Sequence, residues 1–281
     1  MSMKTIDAHH HLWHYNDAEY GWLGDEMAAL KRDFTIDDLR EELRPAGIDG
    51  TVAVQARQTT AETDWLLSLA SDGGPIAAVV GWAPLSDSSV DSYLERWSSN
   101  PAFAGVRHVV QDEPDPEFIL GADFNRGISR LQRYDLAYDI LVFEHQLPNA
   151  LRFADRHPNQ RFILDHAGKP AIRDGSFDGW KAGIEAMARR EHVYCKISGL
   201  VTEAHWSEWS DRQLRPYVDH LLNTFGPRRL MFGSDWPVCL VAAGYDRWVA
   251  TTTALLSELS EDECGWIFGR TAREAYRLEE T

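Results

Sequence analysis

The sequence predicts an α/β fold, a (β/α)8 barrel in which residues 1–281 form a single domain. Eight short apolar stretches alternate with stretches of helical character. Many of the apolar stretches are continuous, which is typical of parallel strands that are covered on both faces. Successive strand ends lie about 25 to 45 residues apart, so that each unit has room for one strand and one helix. An open doubly wound sheet is the structural alternative, but the sequence offers no G-x-G-x-x-G turn to anchor it.

The predicted strands are the β-prone segments that precede each helical stretch. In chain order they are KTIDAHHH, the segment 51–55, PIAAVVGWAPL, FAGVRHVVQ, LAYDILVFEHQL, QRFILDHAGKP, HVYCKISGL and RRLMFGSDWPV.

A helix is predicted after each strand. The connection after the first strand, residues 15–43, is longer than a plain strand-to-helix loop, and we expect it to fold over the barrel mouth. In the next helix Thr60 or Thr63 is the expected cap, and the helix after the fifth strand opens on a proline, which suits a first helical turn. The remaining predicted helices are TAETDWLLSLA, SDSSVDSYLERW, FNRGISRLQRYD, PNALRFADRHP, FDGWKAGIEAMARR, SDRQLRPYVDHLLNTFG and a long C-terminal region from 245 to 278.

Composition excludes several classes of function. The formal net charge of −16 argues against a nucleic-acid partner and against binding to an anionic membrane surface, because both need a concentrated basic face. No apolar run approaches the ~18 residues of a membrane span, and no signal peptide is visible. The cysteines are odd in number and lack metal-ligand spacing, which indicates a reduced, cytoplasmic setting: Cys195, Cys239 and Cys264.

The first strand ends in a histidine cluster, AHHHLWH. Side chains alternate between the two faces of a strand, so His9 and His11 share one face while His10 points to the other. Two imidazoles on one face can chelate a cation. The pattern therefore predicts a functional site at this strand end.

Polar residues recur at the ends of most predicted strands, and the active sites of such barrels lie at the C-terminal strand ends. Random surface polarity would scatter over both ends of the barrel. The polar set is His9, His11, Gln55, Arg57, Arg107, His108, Glu144, His145, Asp165, His166, Lys196, Ser198, Ser234 and Asp235.

Three of these segments resemble the amidohydrolase superfamily. IDAHHHLW is similar to its strand-1 signature, in which H-x-H supplies two metal ligands, RFILDHAGKP to its strand-6 histidine and RLMFGSDWP to its strand-8 aspartate. Together with GVRHVVQ and CKISGL they resemble the branch that contains the sugar lactonases, L-fuconolactonases among them, and 2-pyrone-4,6-dicarboxylate lactonase. The resemblance covers nearly the whole chain.

The resemblance implies metal ligands or polar site groups at His9, His11, His166 and Asp235. Binuclear members of the superfamily carry a lysine or glutamate at the end of strand 4 to bridge two metals, and GVRHVVQ has neither. We therefore expect one divalent metal at most, with zinc favoured by the nitrogen and carboxylate ligands. Catalysis without metal stays open, because this branch is not uniformly metal-dependent.

Opening a lactone requires a base for the attacking water, a donor for the carbonyl oxygen and a proton for the leaving alkoxide. Asp235 is the expected general base, although an aspartate before the helix-starting WP could instead be a helix cap. His166, Arg107 and His108 complete the predicted catalytic set, with Lys196 as a further cation that could replace a metal. A serine hydrolase is disfavoured, because there is no G-x-S-x-G elbow.

The expected substrate is a small-molecule sugar lactone, an L-fuconolactone-like aldonolactone by the resemblance. Several of the 11 tryptophans lie beside the polar clusters, and an indole face stacks well on a sugar-like ring. Three alternatives remain: a metal-dependent decarboxylase, a dicarboxylate lactonase of the pyrone or muconate type, and a catalytically silent sugar-binding barrel. The sequence leaves open whether copies associate as a homo-oligomer. The predicted substrate-binding residues are Gln55, Arg57, Trp82, His145, Lys196, Ser198 and Trp236.

Overall fold

The structure is a computed structural model that describes residues 5–70 and 74–278. Eight parallel strands form one sheet in the order β1-β2-β3-β4-β5-β6-β7-β8, so every strand pairs with its neighbour in the sequence. This confirms the predicted barrel. The strands are β1 Ile6–His10, β2 Gly50–Val54, β3 Ile76–Gly81, β4 Phe103–His108, β5 Ala137–Ile140, β6 Phe162–Leu164, β7 Val193–Ile197 and β8 Leu230–Phe232.

The barrel closes between β1 and the segment that follows β8. The amide of Asp235 donates to the carbonyl of His9 at 2.8 Å, and the amide of His11 donates to the carbonyl of Trp236 at 2.6 Å. The backbone groups that make these bonds belong to predicted site residues. The hydrogen bonds that close the barrel therefore also bring the predicted site residues together.

Helices surround the sheet, as the alternating pattern predicted. The long C-terminal region is broken into separate helices rather than being continuous. The α-helices are α1 Ile36–Ala46, α2 Thr60–Leu69, α3 Val90–Ser98, α4 Ala122–Leu131, α5 Leu147–Arg156, α6 Asp178–Ala188, α7 Asp211–Phe225, α8 Tyr245–Leu255, α9 Glu261–Gly265 and α10 Thr271–Tyr276, with a π-helical turn at Trp266–Arg270. Short 3-10 turns lie at Asp25–Leu30, Val110–Asp112, Phe118–Leu120, Gln132–Tyr134, Glu144–Gln146, Pro227–Arg229 and Val238–Val241.

The starts of helices α5 and α2 were predicted from local sequence, the first correctly and the second not. The proline at the start of α5 lies in the first helical turn, as predicted. The cap of α2 was predicted one residue or more too late: Thr59 accepts from the amide of Glu62, while Thr60 is already helical. Consecutive threonines at 59 and 60 look alike in sequence, and only the backbone conformation separates them.

The apolar core lies mainly between the sheet and the helices, and a second cluster joins strand residues to α10. In that second cluster Val52, Val80 and Ile163 pack with Ala275 and Tyr276. The Tyr276 hydroxyl donates to Asp139 on β5 at 2.7 Å. Helix α10 thus packs against the strands, and its Tyr276 reaches a buried carboxylate. None of the described helices is long and apolar enough to cross a membrane.

Candidate active site

A cavity of about 580 Å³ opens among the C-terminal strand ends. Its lining combines residues from the strand ends with residues of the 15–43 connection, which confirms that this connection reaches the barrel mouth. The lining residues are His11, Trp13, Glu19, Trp22, Ala56, Arg57, Gln58, Thr59, Arg107, Val109, Gln111, Asp112, Leu141, His166, Lys169, Asp235 and Val238.

The first strand delivers two imidazoles to one point. Nε2 of His9 lies 3.2 Å from Nε2 of His11, whereas His10 contacts the Thr51 hydroxyl at 3.0 Å. The alternation read from AHHH is therefore confirmed. Nδ1 of His11 lies 2.8 Å from the carbonyl oxygen of Val54. A carbonyl only accepts, so Nδ1 of His11 donates to it, which fixes the ring and leaves Nε2 on the side of His9 and Asp235.

Asp235 lies among three histidines. Its Oδ1 is 3.4 Å from Nε2 of His11, 3.7 Å from Nε2 of His9 and 3.9 Å from Nε2 of His166. Burial raises the pKa of Asp235, but the nearby His166 and His11 and the charge of Lys169 outweigh it and hold the pKa below its usual value. The side chain is therefore a carboxylate at neutral pH.

Two features of the backbone bring Asp235 close to the histidines: its own left-handed conformation and a glycine two residues earlier. Asp235 adopts a left-handed φ of 57°. A Cβ at Gly233 would lie 2.8 Å from the Cβ of His9, so only glycine allows the segment after β8 to approach β1. Asp235 does not cap a helix: its side chain is directed at the histidines, which removes the alternative reading of GSDWP.

His166 and Lys169 belong to one left-handed turn after β6. Residues 166–169 have φ of 50°, 53°, 67° and 48°, although each non-glycine residue in this region costs about 1 to 2 kcal/mol. The turn is held by Trp180, whose indole donates to the carbonyl of Ala167 at 2.7 Å, and by Ser198, 2.8 Å from Nδ1 of His166. Burial lowers the pKa of His166 to about 4, so its ring is neutral.

The donor set fits a divalent cation. Ligand atoms of His9, His11 and Asp235 all lie within 4.8 Å of one another, as do those of His9, Asp165 and His166. All of these residues are buried. Burial and the positive charge of Lys196 hold the pKa of His9 well below its usual value, and neutral imidazole is the form that binds metal. Imidazole and carboxylate ligands of this kind suit zinc.

A layer of buried charges supports the site from below. Lys196 lies 2.5 Å from Oδ2 of Asp139 and 2.8 Å from Oδ1 of Asp165, with its Nζ 3.1 Å from Nδ1 of His9. Arg107 lies 3.0 Å from Oδ2 of Asp165 through Nη1, while its Nη2 donates to the backbone and side-chain oxygens of Gln55. The guanidinium therefore stands where binuclear relatives were expected to carry a bridging residue.

The structure brings together only part of the predicted substrate-binding and catalytic set. Arg57, Arg107, His166 and Asp235 line the cavity. Gln55, Lys196 and Ser198 are buried as partners of the residues above, so they touch the site through other side chains.

Four more predicted residues also lie outside the cavity lining: Trp82, His108, His145 and Trp236. His108 bonds Glu113 at 2.6 Å and Trp82 at 3.2 Å, which makes a separate cluster beside the barrel. His145 is exposed and stacks on Phe143. Trp236 is 1% exposed. The sequence shows that such residues follow a strand but not which side of the loop they occupy.

Sequence reasoning missed several lining residues, among them Glu19 and Lys169. Glu19 lies 2.6 Å from Nη1 of Arg57 and belongs to the long first connection, where polar residues are common. Lys169 stands three residues beyond the strand-6 histidine in DHAGKP, and the only signal was its position in that motif. Trp22 lines the cavity and is 45% exposed.

Comparison with known proteins gives one consistent family. A family model described as amidohydrolase matches residues 6–278. An L-fucono-1,5-lactonase of Burkholderia multivorans is 43% identical, with 100% of this chain and 98% of that protein covered. An L-fucono-1,5-lactonase of Burkholderia ambifaria is 35% identical, with coverage of 98% and 96%. A crystal structure of an amidohydrolase from Burkholderia multivorans with bound zinc superposes with a TM-score of 0.95 at 42% identity, covering 98% of this chain and 100% of that one.

Proposed function

Because the chain belongs to the amidohydrolase family, we propose that it is a hydrolase that opens the ring of a sugar-acid lactone, an L-fuconolactone-like aldonolactone. Two full-length relatives that carry the name L-fucono-1,5-lactonase support this substrate class. The observation that carries the chemistry is Asp235 Oδ1, which lies within 3.9 Å of three imidazole nitrogens at the cavity.

Asp235 acts as the general base. As a buried carboxylate at the cavity wall it accepts a proton from the attacking water while the water oxygen bonds to the lactone carbonyl carbon. When the ring C–O bond breaks, the proton passes from Asp235 to the ring oxygen, which becomes a hydroxyl group. The product is a hydroxy acid that ionises and releases one proton for each ring opened.

His9, His11 and Asp235 would hold one divalent metal, with zinc as the proposed ion and His166 at the edge of the set. When bound, the ion would polarise the carbonyl group or acidify the water. The surrounding residues orient both imidazoles: Lys196 and Asp165 contact His9, and the Val54 carbonyl accepts from His11. We propose that occupancy does not exceed one ion for each chain.

The cavity favours an uncharged, hydroxyl-rich ring. Its rim carries Glu19 and Asp112, and Arg57 is already paired with Glu19 at 2.6 Å, so a dicarboxylate would find few free cations. Trp22 offers an aromatic face at the mouth, and Gln58 and Gln111 are neutral hydrogen-bonding groups on the wall. The balance of charge therefore favours the sugar lactone over the pyrone or muconate acids.

Titration of released acid at constant pH tests the proposal. The enzyme is assayed with L-fucono- and L-galactono-lactones, with a pyrone dicarboxylate and with dihydroxybenzoate, each with and without chelator. Rapid acid release from the aldonolactones is expected. Turnover of the aromatic or muconate-type acids with no turnover of the sugar lactones would refute the proposal, and lactone binding without hydrolysis would indicate the silent sugar-binding barrel.

A further inference from the structure

We infer that Lys169 is a catalytic residue that donates a hydrogen bond from its ammonium group to the lactone carbonyl oxygen. This inference rests on the proposed function. It assigns the donor that stabilises the oxygen of the tetrahedral intermediate to a residue outside the set of strand-end residues predicted from the sequence.

Two other cations near the site, Lys196 and Arg107, already contact buried acceptors. Lys196 is 0% exposed and directs its ammonium at Asp139, Asp165 and His9. Arg107 reaches the cavity, but both of its terminal nitrogens have partners in Asp165 and Gln55. A donor that already serves a buried acceptor cannot turn to a substrate without leaving that acceptor unpaired.

His108 and Arg57 are the two other side chains that could donate to the carbonyl oxygen, and both are also paired within the protein. His108 does not line the cavity and is bonded on both ring nitrogens, to Glu113 and to Trp82. Arg57 lines the cavity, but its Nη1 lies 2.6 Å from Glu19. His108 therefore has no ring nitrogen left for a ligand, and the charge of Arg57 is already paired with that of Glu19.

Lys169 has donor capacity to spare. Its ammonium lies 3.7 Å from Oε1 of Glu203 and 5.2 Å from the centre of the Phe143 ring. Neither contact is a hydrogen bond, and within the described part of the chain its Nζ has no acceptor at hydrogen-bond distance. An ammonium group has three donors, so Lys169 can bind a ligand oxygen without losing a bond.

Lys169 is also placed where a donor to the lactone carbonyl oxygen is needed. Lys169 lines the cavity together with Asp235 and His166 and lies within electrostatic reach of both. The left-handed turn that carries His166 ends at Lys169, and the amide of Lys169 donates to the carbonyl of His166 at 2.8 Å. The same turn therefore fixes the position of Lys169 relative to His166, the imidazole that lies beside Asp235.

The balanced step is water addition. The water oxygen bonds to the carbonyl carbon as Asp235 takes a water proton, and the carbonyl π electrons move to the oxygen, which becomes an anion beside the Lys169 ammonium. The anion then reforms the carbonyl as the ring C–O bond breaks, and the ring oxygen takes the proton from Asp235. Lys169 remains charged throughout, since it donates a hydrogen bond and transfers no proton.

Lys169→Met in the full-length protein tests the inference. We expect kcat and kcat/KM for the aldonolactone to fall by about 100-fold together, the sign of an interaction made in the transition state. Lys169→Arg keeps charge and donors, so it should recover activity to within about tenfold of the parent. Lys181→Met, on the exposed face of α6, is the matched control, and circular dichroism with thermal unfolding establishes that each variant folds.

Glu203→Gln separates a role on the substrate from a role in the ion pair. If Lys169 acts on the carbonyl oxygen, Glu203→Gln should change kcat less than about fivefold, because the pair is long and partly exposed. Equal losses in Glu203→Gln and Lys169→Met would overturn the inference, as would Lys169→Met activity within threefold of the parent (about 0.7 kcal/mol). A parent enzyme that hydrolyses no aldonolactone refutes the proposed function instead, so the two failures are distinguishable.

Discussion

Nζ of Lys196 lies 2.8 Å from Oδ1 of Asp165, and neither side chain is exposed to solvent. Asp139 completes the buried group at 2.5 Å from the same nitrogen. A charge removed from such a group leaves its partners unpaired in a medium that does not solvate them, which is costly. Lys196 and Asp165 also contact the ring of His9, so loss of this buried group would disturb the site as well as the fold.

Lys196→Met should therefore lower the free energy of unfolding by about 3 to 5 kcal/mol, because two buried carboxylates lose their cation. Guanidinium unfolding of the variant and of the parent measures this difference. The exposed Lys181→Met variant should stay within about 0.5 kcal/mol of the parent. A loss below about 1 kcal/mol in Lys196→Met would mean that Asp139 and Asp165 are not held by this lysine.

Metal content gives a second prediction. Mass spectrometry of protein dialysed against zinc should find no more than one tightly held equivalent for each chain, because Arg107 stands at the strand-4 position. The His9→Ala and His11→Ala variants should each lower that stoichiometry, since both histidines supply ring nitrogens to the donor set. Two tightly held equivalents in the parent would contradict this assignment of the ligands.

Stability should depend on pH through Glu62. Burial raises the pKa of Glu62 from 4.5 to about 7, against the lowering effect of the Arg57 amide. The unfolded chain releases this proton near pH 4.5, whereas the folded chain holds it to about pH 7. The contribution of Glu62 to stability is therefore present below the unfolded value and falls as the pH rises through this window, by up to about 3 kcal/mol.

Glu62→Gln removes that proton from both states, so its unfolding free energy should fall less steeply between pH 5 and pH 7 than that of the parent, by about 2 kcal/mol over the range. Denaturant titrations at pH 5, 6 and 7 measure the two slopes. Parallel curves for parent and variant would show that Glu62 titrates alike in the folded and unfolded chain.

Substrate recognition should depend on Trp22, which faces the cavity while 45% of its surface stays exposed. Trp22→Ala should raise KM for the aldonolactone by about 2- to 10-fold with little change in kcat, because ring stacking contributes about 0.5 to 1.5 kcal/mol. Trp266→Ala, on a π-helical turn outside the cavity lining, is the control. An unchanged KM in Trp22→Ala would remove the stacking role.

Much of this arrangement follows from sequence pattern, because strand periodicity is local. The alternation of faces in AHHH places His9 with His11, and the run of apolar strands predicts that residues far apart in the chain meet at one end of a barrel. Asp235 could be placed at that end for the same reason. The sequence therefore predicted that His9, His11 and Asp235 lie close together, as the structure places them.

The rest depended on contacts that no local pattern records. In the left-handed turn of residues 166–169 three of the four residues are not glycine, and such a conformation is stabilised only by tertiary partners such as Trp180. Lys196 lies within β7 and Ser198 directly follows it, at the end of the barrel where the polar set was predicted, yet both side chains contact buried partners. For His108 a local signal did exist: the alternation along β4 that directs Arg107 into the barrel sends His108 to the outer side, to Trp82 and Glu113.

The most direct test of the account is kcat for an aldonolactone in the Asp235→Asn variant, measured by acid release at constant pH. An amide cannot accept the water proton, so we expect the fold and the binding of lactone to be retained while kcat falls by about 1,000-fold or more. Loss of that size with unchanged thermal unfolding would support Asp235 as the base. A kcat within tenfold of the parent (about 1.4 kcal/mol) would contradict the central claim.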